Sequence, residues 1–363
     1  MQGLQVCRTI DSITQYDQTA CENNIAMPQE PLPSALELNS KASLFFVINA
    51  SAGSRDAQVQ QQAIEDALKA AGRTGELIFS QPADLPDNAR KAAFKAASAR
   101  SAIVAVGGDG TINTVAQAAH AEGCAMGVIP QGTFNYFART HGIAADVAQA
   151  MDTLLHSTAM PVQVATINSR VFLVNASLGI YPKLLEDREA YKARFGRSRL
   201  VAFGAACVTL LQVHRQLRLH IELADAVRDV RTSTLFVGNN QLQLEQVGVQ
   251  VDAPVGEHAG YANRHGRVAA VMLRPMGTLS MLRLMLHGAM GTLGQADNVE
   301  SFEFDHMMVK PRLDYGRHKV KVAFDGEVQW MRSPIEFAVS PKPLYLLKPG
   351  APNGPGAIEH GDA

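Results

Sequence analysis

The chain has 363 residues, of which 47% are hydrophobic and 18% are charged, and this length favours two domains over one small core. Its formal net charge of −1 argues against a general nucleic-acid-binding protein, which would usually carry a basic excess. The four cysteines are widely spaced and include no CxxC pair, so we expect neither a structural zinc site nor a disulfide framework.

The first part of the chain alternates between strand and helix patterns. Residues 1–41 are polar and aperiodic, which predicts a disordered extension. From residue 43 to about residue 158, apolar runs typical of buried strands alternate with amphipathic helical segments. This alternation predicts an α/β domain with a doubly wound parallel sheet. Ligands of such sheets bind at the carboxyl ends of the strands.

The pattern changes after Met160. Two short apolar runs flank Asn168-Ser169-Arg170, which favours a hairpin, and several later runs alternate with a period of two. These runs predict a mainly antiparallel second domain, interrupted by helical stretches at about 183–215 and 277–291. Residues 349–363 are rich in glycine and proline, and we expect a flexible tail there.

Three polar turns follow predicted strands of the first domain. The segment "GGDGT" at 107–111 ends a strand and opens a helix, where glycines let the backbone approach an anion and free N–H groups attract it. The segments "NASAGS" at 49–54 and "QGTFN" at 131–135 lie at the same edge of the sheet. One such turn also fits a simple tight connection, but three on one edge indicate a nucleotide site.

These segments resemble the motifs of the diacylglycerol kinase catalytic family, which also holds the sphingosine kinases and bacterial lipid kinases. Five segments occur in the family's order: "NASAG" at 49–53, "GGDGT" at 107–111, "GTFNYFAR" at 132–139, "NASLG" at 175–179 and "FDGE" at 324–327. The resemblance covers roughly residues 43–348.

The resemblance implies an architecture. It consists of a nucleotide-binding α/β domain over 42–158 beside a β-sandwich over 159–333 that receives the lipid acceptor. Strands at about 334–348 would return to the first domain, and ATP would bind in the cleft between the two domains.

The resemblance also implies residue roles. Asp109, Asp325 and Glu327 would be catalytic, and Asp109 and Glu327 would also bind Mg²⁺. ATP would be bound by residues of the three turns, namely Asn49, Ser51, Gly53, Gly107, Gly108, Gly110, Thr111, Gly132, Thr133 and Asn135.

Chemical reasoning leads to much the same assignment. Phosphoryl transfer requires positioning and charge neutralisation, which Mg²⁺ bridging the phosphates supplies, and carboxylates are its natural ligands. A second carboxylate near the acceptor hydroxyl can take its proton. The sequence does not decide between Asp109 and Asp325; we favour Asp325 as the base, with Asp109 at Mg²⁺ and the γ-phosphate. Taken alone, Asp325-Gly326 would indicate only a type I′ hairpin turn.

Two positions depart from the family pattern. Thr114 follows Asn113 where many members carry an acidic residue, and Tyr136 occupies the aspartate position of the GTxND motif. The leading interpretation is an ATP- and Mg²⁺-dependent lipid kinase that phosphorylates a hydroxyl of a diacylglycerol-like or sphingoid lipid. The alternatives are a kinase of a soluble substrate, similar to the NAD kinases, and an inactive nucleotide- or lipid-binding regulator.

Basic residues accumulate between 192 and 218, where no acidic residue occurs. This stretch predicts a patch for anionic lipid headgroups, although a solvated basic face explains the pattern equally well. The longest apolar run, 200–213, is shorter than the roughly 20 residues that span a bilayer. We therefore expect a cytoplasmic protein, peripheral to the inner face of the membrane, with no nucleic-acid partner; a homodimer is compatible with the sequence.

Overall fold

The computed structural model describes residues 34–50, 54–179, 216–224, 226–239, 267–274, 299–313 and 318–350. The expected helical stretches at 183–215 and 277–291 lie outside the described residues, as do residues 1–33 and 351–363 of the expected extension and tail.

The first sheet has six strands. In spatial order they are β2 (Gly75–Ser80), β1 (Leu44–Asn49), β3 (Ala102–Gly107), β4 (Ala125–Pro130), β18 (Leu344–Leu347) and β5 (Ala159–Val162). Neighbouring strands from β2 to β18 are parallel, and only β5 runs antiparallel to its neighbour. Strands β1, β3 and β4 are buried almost throughout, because helices cover both faces of the sheet.

Five helices surround this sheet: α1 (Ser54–Ala70), α2 (Leu85–Ser98), α3 (Asp109–Glu122), α4 (Tyr136–Thr140) and α5 (Val147–His156). Helices α2 and α3 pack on one face, where alanines let them approach closely, whereas α1 and α5 pack on the other face. The two faces of β1 serve the two cores in alternation, since Phe45 and Val47 belong to one and Phe46 and Ile48 to the other. The predicted doubly wound α/β domain is therefore confirmed.

The second domain is built from two antiparallel sheets of six strands. The first contains, in spatial order, β10 (Val227–Thr232), β9 (Leu217–Leu223), β14 (His306–Pro311), β17 (Ile335–Val339), β6 (Ala165–Ile167) and β7 (Arg170–Phe172). The second contains β13 (Val299–Phe304), β12 (Val268–Leu273), β11 (Thr234–Gly238), β8 (Asn175–Gly179), β15 (Lys319–Phe324) and β16 (Glu327–Arg332). Apolar residues of both sheets form one shared core, so the expected β-sandwich is confirmed.

At both edges of the sandwich, an arginine of one sheet contacts an aromatic ring of the other sheet. At one edge the Arg170 guanidinium of β7 lies 5.3 Å from the ring centroid of Phe324 and donates a hydrogen bond to Gln329. At the other edge Arg228 of β10 lies 5.6 Å from the ring centroid of Phe302. Each arginine thus joins one sheet to an aromatic ring of the other by a cation–π contact.

The sheet memberships differ from the expected boundaries. Strand β5, which we placed in the second domain, pairs with β18 in the first sheet, and β18 alone returns there because β17 pairs with β14 and β6. Residue Leu36, which we assigned to the extension, forms a bridge to Ala159. The hairpin between β6 and β7 turns at Asn168 and Ser169, both with positive φ, as the sequence predicts.

Candidate active site

The "GGDGT" turn connects β3 to α3. Gly107 ends the strand, Gly108 is the extended residue that precedes the helix, and Asp109 is the first helical residue. A Cβ atom on Gly107 would lie 2.6 Å from Oγ1 of Thr111, so a larger residue would displace that side chain. The first-turn amides of α3 are available to bind an anion, as at other helix N-termini.

The "QGTFN" turn packs against the first one. A Cβ atom on Gly132 would lie only 3.0 Å from the Cα atom of Gly108, so the two turns touch backbone to backbone. Asn135 adopts the left-handed conformation, with φ of 48°, and its Oδ1 accepts a hydrogen bond from the Gly132 amide at 2.8 Å. Asn49, at the end of β1, donates to Thr111 Oγ1 at 3.3 Å. Strand ends β1, β3 and β4 thus meet at one edge, as predicted.

The Asp109 carboxylate lies between the two glycine turns. Its Oδ2 accepts a hydrogen bond from the Asn135 amide at 3.1 Å, which ties the second turn to the first. Its Oδ1 is buried and has no hydrogen-bond partner within the described part of the chain. Burial raises the pKa of Asp109, and the Tyr136 and Asn135 amides partly oppose that shift. An unpaired buried carboxylate oxygen is costly, which points to a ligand or proton at this position.

The Asp325 carboxylate, by contrast, is fully hydrogen-bonded. Its Oδ1 accepts from the amides of Val174 and Asn175 at 2.8 and 3.1 Å, and its Oδ2 accepts from the Leu173 amide and Asn113 Nδ2 at 2.7 and 2.6 Å. A carboxylate offers about four lone-pair directions, and all four are used here. Burial nevertheless raises the pKa of Asp325 to about 6, against these four donors.

Glu327 lies two residues further along the same hairpin and points to a different place. Its Oε1 is 3.6 Å from where a Cβ atom on Gly110 would stand, so the carboxylate lies beside the first turn of α3. Gln329 donates to its other oxygen at 3.4 Å, and the residue is exposed. The turn from β15 to β16 therefore holds Asp325 against the protein and presents Glu327 to the glycine turns.

Helix α3 carries a polar stripe that docks onto the second domain. Asn113 reaches Asp325, and Gln117 exchanges two hydrogen bonds with the Val171 peptide of β7. One turn later His120 Nε2 lies 2.8 Å from Ser340 Oγ. Burial lowers the pKa of His120. The helix that begins at the "GGDGT" turn thus also fixes the position of the hairpin bearing Asp325 and Glu327.

The carboxylates present fit a magnesium ion supported by a bound nucleotide. Mg²⁺ commonly takes one or two protein carboxylates and completes its shell with water and phosphate oxygens. Asp109 Oδ1 lacks a partner in the described residues, and the Glu327 carboxylate lies at the adjacent helix terminus. Among those residues no group of three or more His, Cys, Asp or Glu side chains is arranged to hold a metal by itself.

The two departures from the family pattern have local explanations. The Tyr136 ring is 40% exposed and stacks on Phe134 with a centroid distance of 5.3 Å, while its amide interacts with Asp109. Thr114 Oγ1 donates to the Gly110 carbonyl at 2.9 Å, within its own helix. Neither substitution disturbs the backbone contacts that join the two glycine turns.

The structure brings most of the expected site residues together. Asn49, Gly107, Gly108, Asp109, Gly110, Thr111, Gly132, Asn135 and Glu327 lie around the two contacting turns, with Thr133 exposed beside them and Asp325 behind them. Ser51 and Gly53 lie outside the described residues, as does most of the basic stretch 192–218. Of that stretch, Arg218 is described, on β9.

Sequence reasoning missed Asn113 and Gln117. Their signal was available, because amides four residues apart project from the same side of an otherwise apolar helix. The backbone amides of 173–175 left no signal, since any residue supplies an N–H group. None of the described helices has the length and apolarity needed to cross a membrane.

Comparisons with known proteins agree with this geometry. Residues 43–167 match the family model of the diacylglycerol kinase catalytic domain. Over 117 residues the chain is 36% identical to a protein of Klebsiella pneumoniae named "Probable lipid kinase YegS-like", covering 31% of this chain and 39% of the relative. Over 88 residues it is 40% identical to a diacylglycerol kinase of Bacillus subtilis, covering 23% and 29%. The chain spans less than half the length of these curated relatives.

A solved structure shares the fold. A diacylglycerol kinase from Bacillus anthracis str. Sterne superposes with a TM-score of 0.59 at 16% identity, covering 85% of this chain and 97% of the other. The resemblance read from the sequence is therefore confirmed: residues 43–167 match the diacylglycerol kinase catalytic-domain family, and the chain shares the fold of this solved structure.

Proposed function

We propose that this protein is a lipid kinase that transfers the γ-phosphate of ATP to a hydroxyl of a diacylglycerol-like or sphingoid lipid. The observation that carries this proposal is the Asp109 carboxylate, buried between two glycine turns with one oxygen unpaired in the described residues. Its support from relatives is the names "lipid kinase" and "diacylglycerol kinase" that matching proteins bear.

The phosphates of ATP would bind at the N-terminus of α3. The backbone amides of Gly110 and Thr111 belong to its first turn, Gly108 immediately precedes it, and the Gly132 turn lies against Gly108. Asn49 would contribute from the end of β1, together with Ser51, Gly53 and Thr133 of the neighbouring turns and Asn135. The contact of the turns leaves little room for side chains larger than hydrogen, which lets phosphate oxygens reach the backbone.

Mg²⁺ would be held by Glu327 beside the helix terminus, and when bound it would neutralise charge on the phosphates. Glu327 suits this role because its carboxylate is exposed and lies beside Gly110. The ion would complete its shell with phosphate oxygens and water. Asp109 would contribute charge at the same place.

We assign acceptance of the lipid hydroxyl proton to Asp109 rather than to Asp325, which reverses the preference drawn from the sequence. A general base needs a lone pair directed at the reacting hydroxyl. All four lone-pair directions of Asp325 are occupied, whereas Asp109 Oδ1 has none occupied by the described residues. The raised pKa of Asp109 also favours proton acceptance. Asp325 would act by holding the hairpin, and so Glu327, in place.

The direct test is transfer of label from γ-labelled ATP with Mg²⁺ into a panel of diacylglycerols and sphingoid bases in detergent micelles, with NAD as a soluble acceptor. We expect a labelled lipid from the wild type and from Asp84→Asn, an exposed aspartate that precedes α2 without a capping bond. Asp109→Asn should give no labelled lipid. Label appearing in NAD alone, or ATP binding without any transfer, would contradict the lipid kinase proposal.

A further inference from the structure

The β15–β16 hairpin has two unlike faces. Its inner face contributes Val320, Val322, Phe324 and Met331 to the sandwich core. Side chains of its outer face follow from the pairing register, and they are Lys319, Lys321, Ala323, Val328, Trp330 and Arg332. Strand β16 is an edge strand, and Trp330 is 63% exposed on it. We call these six residues the outer hairpin face; Ala323 is buried, so the exposed part of the face lies at Lys319, Trp330 and Arg332.

The charges on the outer hairpin face have one sign. Lys319 stands directly opposite Arg332, although like charges in that position destabilise a sheet. Residues 319–332 are all described, and none of the six on this face is acidic. On this face of the described hairpin the two cations gain nothing from each other, and their charges are presented to a ligand from outside.

A second pair of like charges lies on a face that also carries acidic residues. Arg218 of β9 stands opposite Arg231 of β10, but Glu222 and Asp229 project from that same face. Asp229 also pairs with Arg312 at 3.3 Å. Glu222 also pairs with Lys310, so both acids on this face form ion pairs with nearby cations. The outer hairpin face differs because it carries no acidic residue.

Trp330 adds an apolar anchor to these cations. Lys321 Nζ lies 5.1 Å from the centroid of its ring, a cation–π contact that leaves the ring mostly exposed. Tryptophan with nearby lysine and arginine is the combination that favours a membrane–water interface, because the ring is amphipathic and the cations attract anionic headgroups.

We propose that the outer hairpin face docks this protein on a bilayer that contains anionic phospholipid. The proposal rests on the proposed lipid kinase function and specifies where the membrane meets the enzyme. Trp330 lies three residues along β16 from Glu327, which is about 10 Å at the rise of a strand, and the two side chains project from opposite faces of that strand. Docking through the outer hairpin face would therefore bring the hairpin that bears Glu327 to the bilayer, with Glu327 on its other face.

The first test uses Trp330 itself, because it is the only tryptophan of the chain. Adding vesicles of phosphatidylcholine mixed with phosphatidylglycerol should shift its emission to shorter wavelength and protect it from acrylamide. Pure phosphatidylcholine vesicles should do much less, and high salt should reverse the shift. An unchanged emission spectrum with anionic vesicles would overturn the proposal.

The second test compares matched pairs of cations. Lys319→Gln with Arg332→Gln should weaken partition onto the anionic vesicles by about thirtyfold, since each basic residue contributes about fivefold at the surface. Arg218→Gln with Arg231→Gln, the control pair, should leave partition within about twofold of wild type. Equal losses in the two double variants would reject the outer hairpin face as the docking surface.

Activity separates this proposal from the kinase proposal. The Lys319/Arg332 double variant should retain wild-type transfer to lipid in detergent micelles and lose it on anionic vesicles. An absence of transfer by the wild type in both media would defeat the kinase function, while the Trp330 emission shift would still decide the docking surface. Wild-type transfer by the double variant on vesicles would overturn the docking proposal.

Discussion

Two Asp-Gly turns in this protein look alike in sequence and differ in chemistry. Asp109-Gly110 opens helix α3, and Asp325-Gly326 forms the turn of the β15–β16 hairpin. Asp109 accepts hydrogen bonds from neighbouring turn amides and keeps an unpaired Oδ1 in the described chain, whereas Asp325 accepts four at 2.6 to 3.1 Å. The number of donors around each carboxylate, rather than its motif, therefore distinguishes the two turns and leads us to propose different roles for them.

The largest expected effect concerns activity at the first turn. Asp109→Asn should lower kcat for lipid phosphorylation by about a thousandfold, since an amide cannot accept the proton. Its melting temperature should stay close to that of wild type, because Asn Oδ1 can still accept from the Asn135 amide. Rates with γ-labelled ATP and a thermal melt measure both quantities. Activity above a tenth of wild type would remove Asp109 from proton transfer.

Substitution of the aspartate in the second turn, Asp325-Gly326, should instead lower the stability of the protein. Asp325→Asn places an NH₂ group against backbone donors and removes charge-assisted hydrogen bonds, so the free energy of unfolding should fall by about 3 kcal/mol. Urea titration followed by circular dichroism measures this loss. Asp84→Asn, at an exposed position, serves as the control. If Asp325→Asn melted like wild type while losing activity, Asp325 would be chemically active and the contrast between the turns would fail.

The pH dependence of stability sharpens the same contrast. The pKa of Asp325 is raised to about 6 in the folded protein, from about 4 in an unfolded chain, so the folded state binds that proton more tightly. Its contribution to stability is fully present below about pH 4 and is lost as the pH rises through 6.

The measurable quantity is the free energy of unfolding of wild type minus that of Asp325→Asn. This difference should fall by about 3 kcal/mol between about pH 4 and 7. Repeating the urea titrations over that range, with Asp84→Asn in place of Asp325→Asn as a comparison, isolates the contribution. If this free-energy difference did not change with pH, the four hydrogen-bond donors would offset the effect of burial on the pKa of Asp325.

The smallest effect tests the other end of the hairpin. Lys319→Glu would face Arg332 with an opposite charge and should raise the free energy of unfolding by about 0.5 kcal/mol. Arg218→Glu should raise the free energy of unfolding by less, because Glu222 and Asp229 already lie on the same face as Arg218. Urea titration of both variants checks this order. A loss of stability in Lys319→Glu would show that the two cations are not in repulsion.

Much of the fold could be predicted from the sequence because the spacing of apolar residues indicates which positions are buried. The buried run at 43–50 and the turns after β3 and β4 predicted the parallel sheet and its functional edge, and the Asn168-Ser169 hairpin followed from its turn residues. The sequence did not allow us to predict the sheet to which β5 belongs or the sheet to which β17 belongs. Both are short apolar strands, and partner choice depends on contacts with β18 and β14 that lie far away in sequence.

The site was predicted in composition but not in role. The sequence predicted Asp109, Asp325 and Glu327 as site residues, and all three lie near the first turns of α3. The sequence favoured Asp325 as the base, and it did not show that this carboxylate accepts hydrogen bonds from the backbone amides of 173–175 and from Asn113. Backbone donors carry no residue-specific signal, so only the folded arrangement reveals that this carboxylate is saturated.

The position of β18 has a consequence for synthesis of the chain. This strand lies between β4 and β5 and is the neighbour that joins β5 to the first sheet. A ribosome must therefore synthesise the chain through residue 347 before the first sheet can close, and until then β4 presents an open edge. The family-matched segment 43–167 is consequently not a unit that can be cut out, because it contains β5 but lacks the strand that holds it.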